Sequence, residues 1–141
     1  MKLCRIVGLA LALVALTGAG GKPDAHAHTE RCFLDALRAV ESGGTPNGGL
    51  GAIGDGGKAY GPLQIHKGYW QDSRVPGSHA DCLTSREYSE RVVLAYMKRY
   101  APESLKAGDW EKLARIHNGG PKGHTKSATV KYWAKVQKAM K

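Results

Sequence analysis

Phenylalanine occurs once in this 141-residue chain and cysteine three times, so neither a Phe-rich core nor a dense disulfide framework can organise the fold. Acidic groups are also scarce, 12 Asp and Glu against 21 Lys and Arg, for a formal net charge of +9. No stretch reaches the roughly 20 apolar residues that a membrane-spanning helix needs. The longest, Ile6 to Leu16, has 11. What remains is 42% hydrophobic and 23% charged, a composition that excludes a mainly disordered or collagen-like chain and predicts one packed domain.

The first 27 residues read as a targeting segment: Lys2 and Arg5 precede the apolar run, small residues follow it, and Ala25-His26-Ala27 supplies an A-x-A cleavage site. Residues 28–141 are then the mature domain, exported to an extracellular or periplasmic space, with a second possible cut at Ala19 or Gly20. Losing Lys2, Arg5, Lys22 and Asp24 leaves 18 basic and 11 acidic residues, a net +7 over 114 residues, which points to an anionic partner. Cys4 leaves with the signal. An even pair, Cys32 and Cys82, in an oxidising compartment reads as one disulfide, with two buried thiols as the alternative. Closing a loop of about 50 residues would stabilise by roughly 4 kcal/mol.

Thr29 is placed to cap a helix running to about Val40, with Cys32, Phe33, Leu37 and Val40 at helical spacing and Gly43-Gly44 as the stop. Nine of the 19 glycines fall between Gly43 and Gly61, broken by Pro46, Asn47 and Asp55, which predicts turns and a short hairpin. Leu63 to Trp70 is an apolar and aromatic return with room for a short helix. Thr84-Ser85-Arg86-Glu87 reads as a capping box before a stripe of Tyr88, Val92, Val93, Tyr96 and Tyr100 that Pro102 halts. Asp109 caps a helix from Trp110 to His117. A last helix, about Thr129 to Met140, packs Trp133, Val136 and Met140 and turns Lys131, Lys135 and Lys138 outward. The architecture expected is α+β: mostly helical, with a small glycine-rich β insert.

Glu41 falls at the last turn of the first helix, where the partial negative charge of the helix end disfavours a carboxylate. The expectation is a raised pKa, as a general acid near neutral pH requires. Asp55 follows 14 residues later in Gly54-Asp55-Gly56-Gly57, a flexible turn that can bring a second carboxylate opposite the first. Two carboxylates in contrasting environments suit glycoside hydrolysis, one as acid and one as nucleophile or stabiliser. Tyr60, Tyr69 and Trp70 around Gln64 combine flat apolar faces with amide donors, as a polyhydroxylated ring demands.

Glu41-Ser42-Gly43, Asp55 ahead of Gly61-Pro62-Leu63-Gln64-Ile65, then Tyr69-Trp70, Tyr96-Met97-Lys98-Arg99-Tyr100, Ala114-Arg115-Ile116-His117-Asn118-Gly119-Gly120-Pro121 and Tyr132-Trp133 together resemble the invertebrate-type lysozymes, the destabilase family. The resemblance runs over about residues 32 to 136. It implies a lysozyme-like fold and cleavage of the β-1,4 bond between N-acetylmuramic acid and N-acetylglucosamine in peptidoglycan. By position, Glu41 would be the proton donor and Asp55 the nucleophile or stabiliser. Tyr60, Gly61, Gln64, His66, Tyr69, Trp70, Tyr96, His117, Asn118 and Gly119 would line the sugar groove. Two departures stand out: the family is usually rich in disulfides, and its Asp usually stands seven residues before the Gly, whereas Asp55 stands six before Gly61.

Two other readings compete with a muramidase. A lytic transglycosylase needs Glu41 alone, and a non-catalytic cationic protein would bind the cell wall without cleaving it. Of the six histidines, none pairs with another at i,i+4 spacing and no Cys or carboxylate completes a ligand set, so no metal and no cofactor is expected. Nucleic acid is not the expected partner, because the basic residues are scattered and the chain reads as exported. Peptidoglycan is, bound by a monomer without stable membrane insertion.

Overall fold

A computed structural model describes residues 25–141, with side chains from Thr29 onward. The targeting segment rests mainly on residues 1–24, outside the described residues. The order is α1 (Ala25–Ser42), a 3₁₀ turn, then β1 (Ile53–Gly54), β2 (Ala59–Tyr60) and β3 (Ile65–His66), followed by α2 (Lys67–Ser73) and α3 (Asp81–Thr84). Four helices complete the chain: α4 (Arg86–Tyr100), α5 (Pro102–Ala107), α6 (Trp110–Gly119) and α7 (Val130–Ala139). No helix among the described residues is long and apolar enough to cross a membrane.

The α+β expectation holds, and the differences lie at element ends. α1 starts at Ala25, so Thr29 lies inside the helix and does not cap it. Ser85, one residue after the expected cap, accepts the Tyr88 amide at 3.1 Å and opens α4. Asp109 does cap α6, accepting from the Lys112 amide at 3.2 Å. Pro102 ends α4 as expected and also starts α5, since a proline in the first turn of a helix forgoes an amide that has no partner there. The sequence reading had no α3 or α5, each being six residues or fewer.

α1 and α6 both pack against α7, while α2 packs on α4. Between them lie Phe33, Leu37, Leu63, Ile65, Val92, Val93, Met97, Leu113, Ile116 and Val136, each at most 1% exposed. The single Phe is stacked obliquely on Trp110, ring centres 4.9 Å apart. Lys131, Lys135 and Lys138 are exposed along α7, as its periodicity predicts.

Cys32 and Cys82 are not joined. Among the described residues the expected Cys32–Cys82 disulfide is therefore corrected to a packed core without that cross-link. Cys82 is fully buried in the main apolar cluster, and burial pushes its thiol up to about 11, so it serves as a small hydrophobe. An ionic clasp does join two helices. Glu90 of α4, only 12% exposed, is bonded by Arg31 of α1 and by Arg86 at 2.8 Å, and Arg86 also reaches Asp35 of α1. Burial alone would raise the Glu90 pKa, but the two guanidinium groups outweigh it and hold the carboxyl below its usual range.

Because that folded pKa lies below the ordinary Glu value of 4.5, the stabilisation is complete above 4.5 and is lost as pH falls through the lower, folded value. Arg86→Ala is expected to cost about 1–2 kcal/mol at neutral pH and to flatten the acid limb of stability. Urea denaturation across the acid range checks both effects.

Candidate active site

The sheet is a three-stranded antiparallel ladder in which Ala59 pairs with Gly54 on one side and His66 on the other. Asp55 follows β1 directly, in a 3₁₀ turn. Ser42, beside Glu41 and 3% exposed, donates its hydroxyl to the Pro62 carbonyl at 2.8 Å. That bond fastens the C-terminus of α1 to the segment leading into β3, so the element bearing Glu41 and the sheet beside Asp55 are tied together.

Glu41 and Asp55 line one cleft of about 200 Å³. Ala59, Gln64, His66 and Tyr69 line it too, as do His117 and Asn118 from the end of α6. The Glu41 side chain is 19% exposed and that of Asp55 62%, so the two carboxyls occupy contrasting surroundings. Among the described residues no cluster of three or more His, Cys, Asp or Glu could hold a metal ion.

Glu41 is held from two other helices. The Tyr132 hydroxyl on α7 donates to Oε1 at 2.7 Å, and His117 Nε2 on α6 lies 3.5 Å from the same oxygen. The other ring nitrogen of His117, Nδ1, is 3.1 Å from the Tyr69 hydroxyl. Burial holds Tyr69 and Tyr132 well above the usual phenol range, so both stay protonated. In the neutral imidazole Tyr69 therefore donates to Nδ1, and the Nε2 hydrogen faces Glu41; protonated, His117 donates from both nitrogens. Tyr96, itself 3% exposed, stacks under Tyr69 with ring centres 3.6 Å apart.

The expected rise in the Glu41 pKa is not found. Burial acts upward and is the largest single influence, but the hydrogen bond and charge of His117, with the Tyr132 hydroxyl, outweigh it and hold the carboxyl below the ordinary Glu value. Position at a helix end is a weak field, whereas two donors on one oxygen act at contact range.

Asp55 has His66 Nε2 at 3.4 Å from Oδ2. Asp55 and Gln64 both sit in left-handed backbone, φ 46° and 47°, costing of order 1 kcal/mol each and clustering at this cleft. Gln64 spans its turn by donating Nε2 to the Gly61 carbonyl at 2.9 Å.

Of the expected groove residues, Gln64, His66, Tyr69, His117 and Asn118 line the cleft with the two carboxyls. Tyr60 lines a neighbouring cleft instead. Trp70 turns inward and donates Nε1 to the Tyr88 hydroxyl at 2.8 Å. Tyr96 supports Tyr69 from below and is not among the lining residues. Gly61 is buried at φ 75°, and a Cβ there would fall 1.8 Å from the Cys82 carbonyl, so its glycine serves chain crossing. Gly119 ends α6, and its carbonyl accepts from Lys126 Nζ at 2.7 Å. Three contributors had not been assigned to the site from sequence: Ser42, Ala59 and Tyr132. For Tyr132 a signal existed, since it stands four residues before buried Val136 on one helix face.

A family model for destabilase matches residues 30–139. The chain belongs to the destabilase family. This destabilase-family chain is 37% identical over 111 residues to the invertebrate-type lysozyme of Ruditapes philippinarum, covering 78% of this chain and 80% of that one. With lysozyme 1 of Crassostrea virginica it shares 40% over 110 residues, 77% of this chain and 58% of the relative. It thus spans little more than half the length of the oyster relatives it matches. The crystal structure of Tapes japonica lysozyme is similar at a TM-score of 0.65 and 37% identity, over 77% of this chain and 88% of that one.

His117→Gln and Tyr132→Phe are each expected to raise the Glu41 pKa above the wild-type value. Carboxyl carbon NMR titration of the single variants measures this directly, and an unmoved Glu41 resonance would contradict the assignment of both contacts.

Proposed function

We propose that the protein is an exported muramidase that hydrolyses the β-1,4 bond between N-acetylmuramic acid and N-acetylglucosamine in peptidoglycan. The observation that carries this reading is the meeting of Glu41 and Asp55 in one cleft, one carboxyl largely enclosed and the other open. Membership of a family whose relatives are named lysozymes supports it. The net positive charge of residues 28–141 favours encounter with an anionic wall, and the cleft supplies selectivity.

Glu41 is the proton donor to the glycosidic oxygen. Tyr132 and His117 both engage Oε1, which leaves Oε2 to hold the proton towards the substrate. In the free protein the carboxyl is held ionised at neutral pH. A saccharide filling the cleft expels water, and desolvation, already the largest influence on this group, then shifts it towards the protonated state. Asp55, at the open side, supports the positive charge that develops at the sugar ring. Gln64 and Asn118 offer amide donors and acceptors to the sugar's polar groups.

Incubating peptidoglycan with the wild-type protein and analysing muropeptides by mass spectrometry is expected to show products that have gained water. Glu41→Gln should fold and lose about 10²–10⁴-fold in rate. An Asp55→Asn variant with near-full activity and anhydro-ended products would select the Glu41-only transglycosylase instead. Undiminished bacterial killing by Glu41→Gln would select the non-catalytic binder.

A further inference from the structure

Beside the carboxylate cleft lies a second, of about 350 Å³, and His66 lines both. Its other walls include Lys58 and Lys67, both exposed, with Tyr60 and His79. The two rings are stacked face to face, centres 4.1 Å apart and 4° from parallel. His79 is pinned by donating Nε2 to the Ile65 carbonyl at 2.6 Å, so this wall is pre-formed. No carboxylate lines this cleft, whereas two line the first.

Two ammonium groups in a cleft that no acid lines select an anion, and the rigid ring wall gives an apolar surface for a side chain or peptide plane. The shared His66 adds a constraint: whatever enters is within reach of the saccharide in the first cleft. Where that saccharide is muramic acid, its lactyl arm carries a peptide stem through an amide, and the free carboxylates of that stem supply the anion. We propose that the second cleft binds the carboxylate-bearing peptide stem of the muramic acid residue held in the first. The assignment rests on the muramidase reading for its substrate and deepens it: Lys58 and Lys67 select stem-bearing wall over bare glycan.

The test uses the Glu41→Gln protein as a non-cleaving trap and titrates it calorimetrically with a soluble stem-bearing glycan fragment and with a bare fragment whose lactyl carboxyl is capped as an uncharged amide in place of the stem. The expected result is roughly tenfold tighter binding of the stem-bearing form, the scale of one or two charge-assisted hydrogen bonds. Adding Lys58→Ala and Lys67→Ala should abolish that difference and leave binding of the bare fragment unchanged. Equal affinity for the two fragments, or a parallel loss for both in the lysine variant, overturns the proposal. So does equally effective competition by a stem-free phosphate polymer, which would make the cleft a general polyanion site. Failure of the muramidase reading shows separately, as absence of cleavage products from wild type, while stem-dependent binding that needs both lysines would still support the second cleft.

Discussion

One carboxylate oxygen organises this molecule. Oε1 of Glu41, at the end of α1, receives the Tyr132 hydroxyl from α7 and faces the His117 imidazole from α6, so the first helix and the last two converge on one atom. Those helices are also the packing partners of the core: α1 and α6 both lie against α7. The packing that forms the core therefore also brings the partners of Glu41 together. The aromatic rings behind His117 extend the arrangement inward, from Tyr69 to Tyr96, and leave the imidazole little freedom to turn. His117 is itself only 4% exposed, so bulk water contributes little to its orientation.

The two sides of the cleft are built by different means. The helical side is set by close packing and by donors on buried groups, and its geometry is shared among several elements. The side bearing Asp55 hangs on strands of two residues each and on a turn with left-handed residues. In the proposed reaction this division suits the two roles: a proton donor needs fixed partners to set its affinity for a proton, while a group that answers charge on a sugar ring needs access more than rigidity. The Ser42 hydroxyl on the Pro62 carbonyl joins the two sides and keeps the fixed one beside the adaptable one.

Much of this was legible in the sequence. Helical periodicity and the caps at Asp109 and in the Thr84–Glu87 region placed α4, α6 and α7 within a residue or two, because local amide satisfaction and one apolar stripe decide such elements. Glu41, Asp55 and five of the expected groove residues share one cleft. What the sequence could not carry was long-range. The partner of Glu41 from 91 residues away, Tyr132, follows from helix packing, not from local pattern. That contact and His117 together reverse the expected direction of the Glu41 pKa. Trp70 and Gly61 misled for a related reason: an aromatic or a glycine beside a motif can serve the core or a chain crossing as readily as a ligand. The cysteine pair misled because an even count says nothing about whether two side chains meet.

The two-residue strands carry a consequence for engineering. So short a ladder leaves residues 55–58 as an exposed turn, the kind of segment that tolerates a change of length better than a packed helix does. The turn that carries Asp55 can thus be lengthened or shortened in an engineered chain independently of the three helices that meet at Glu41.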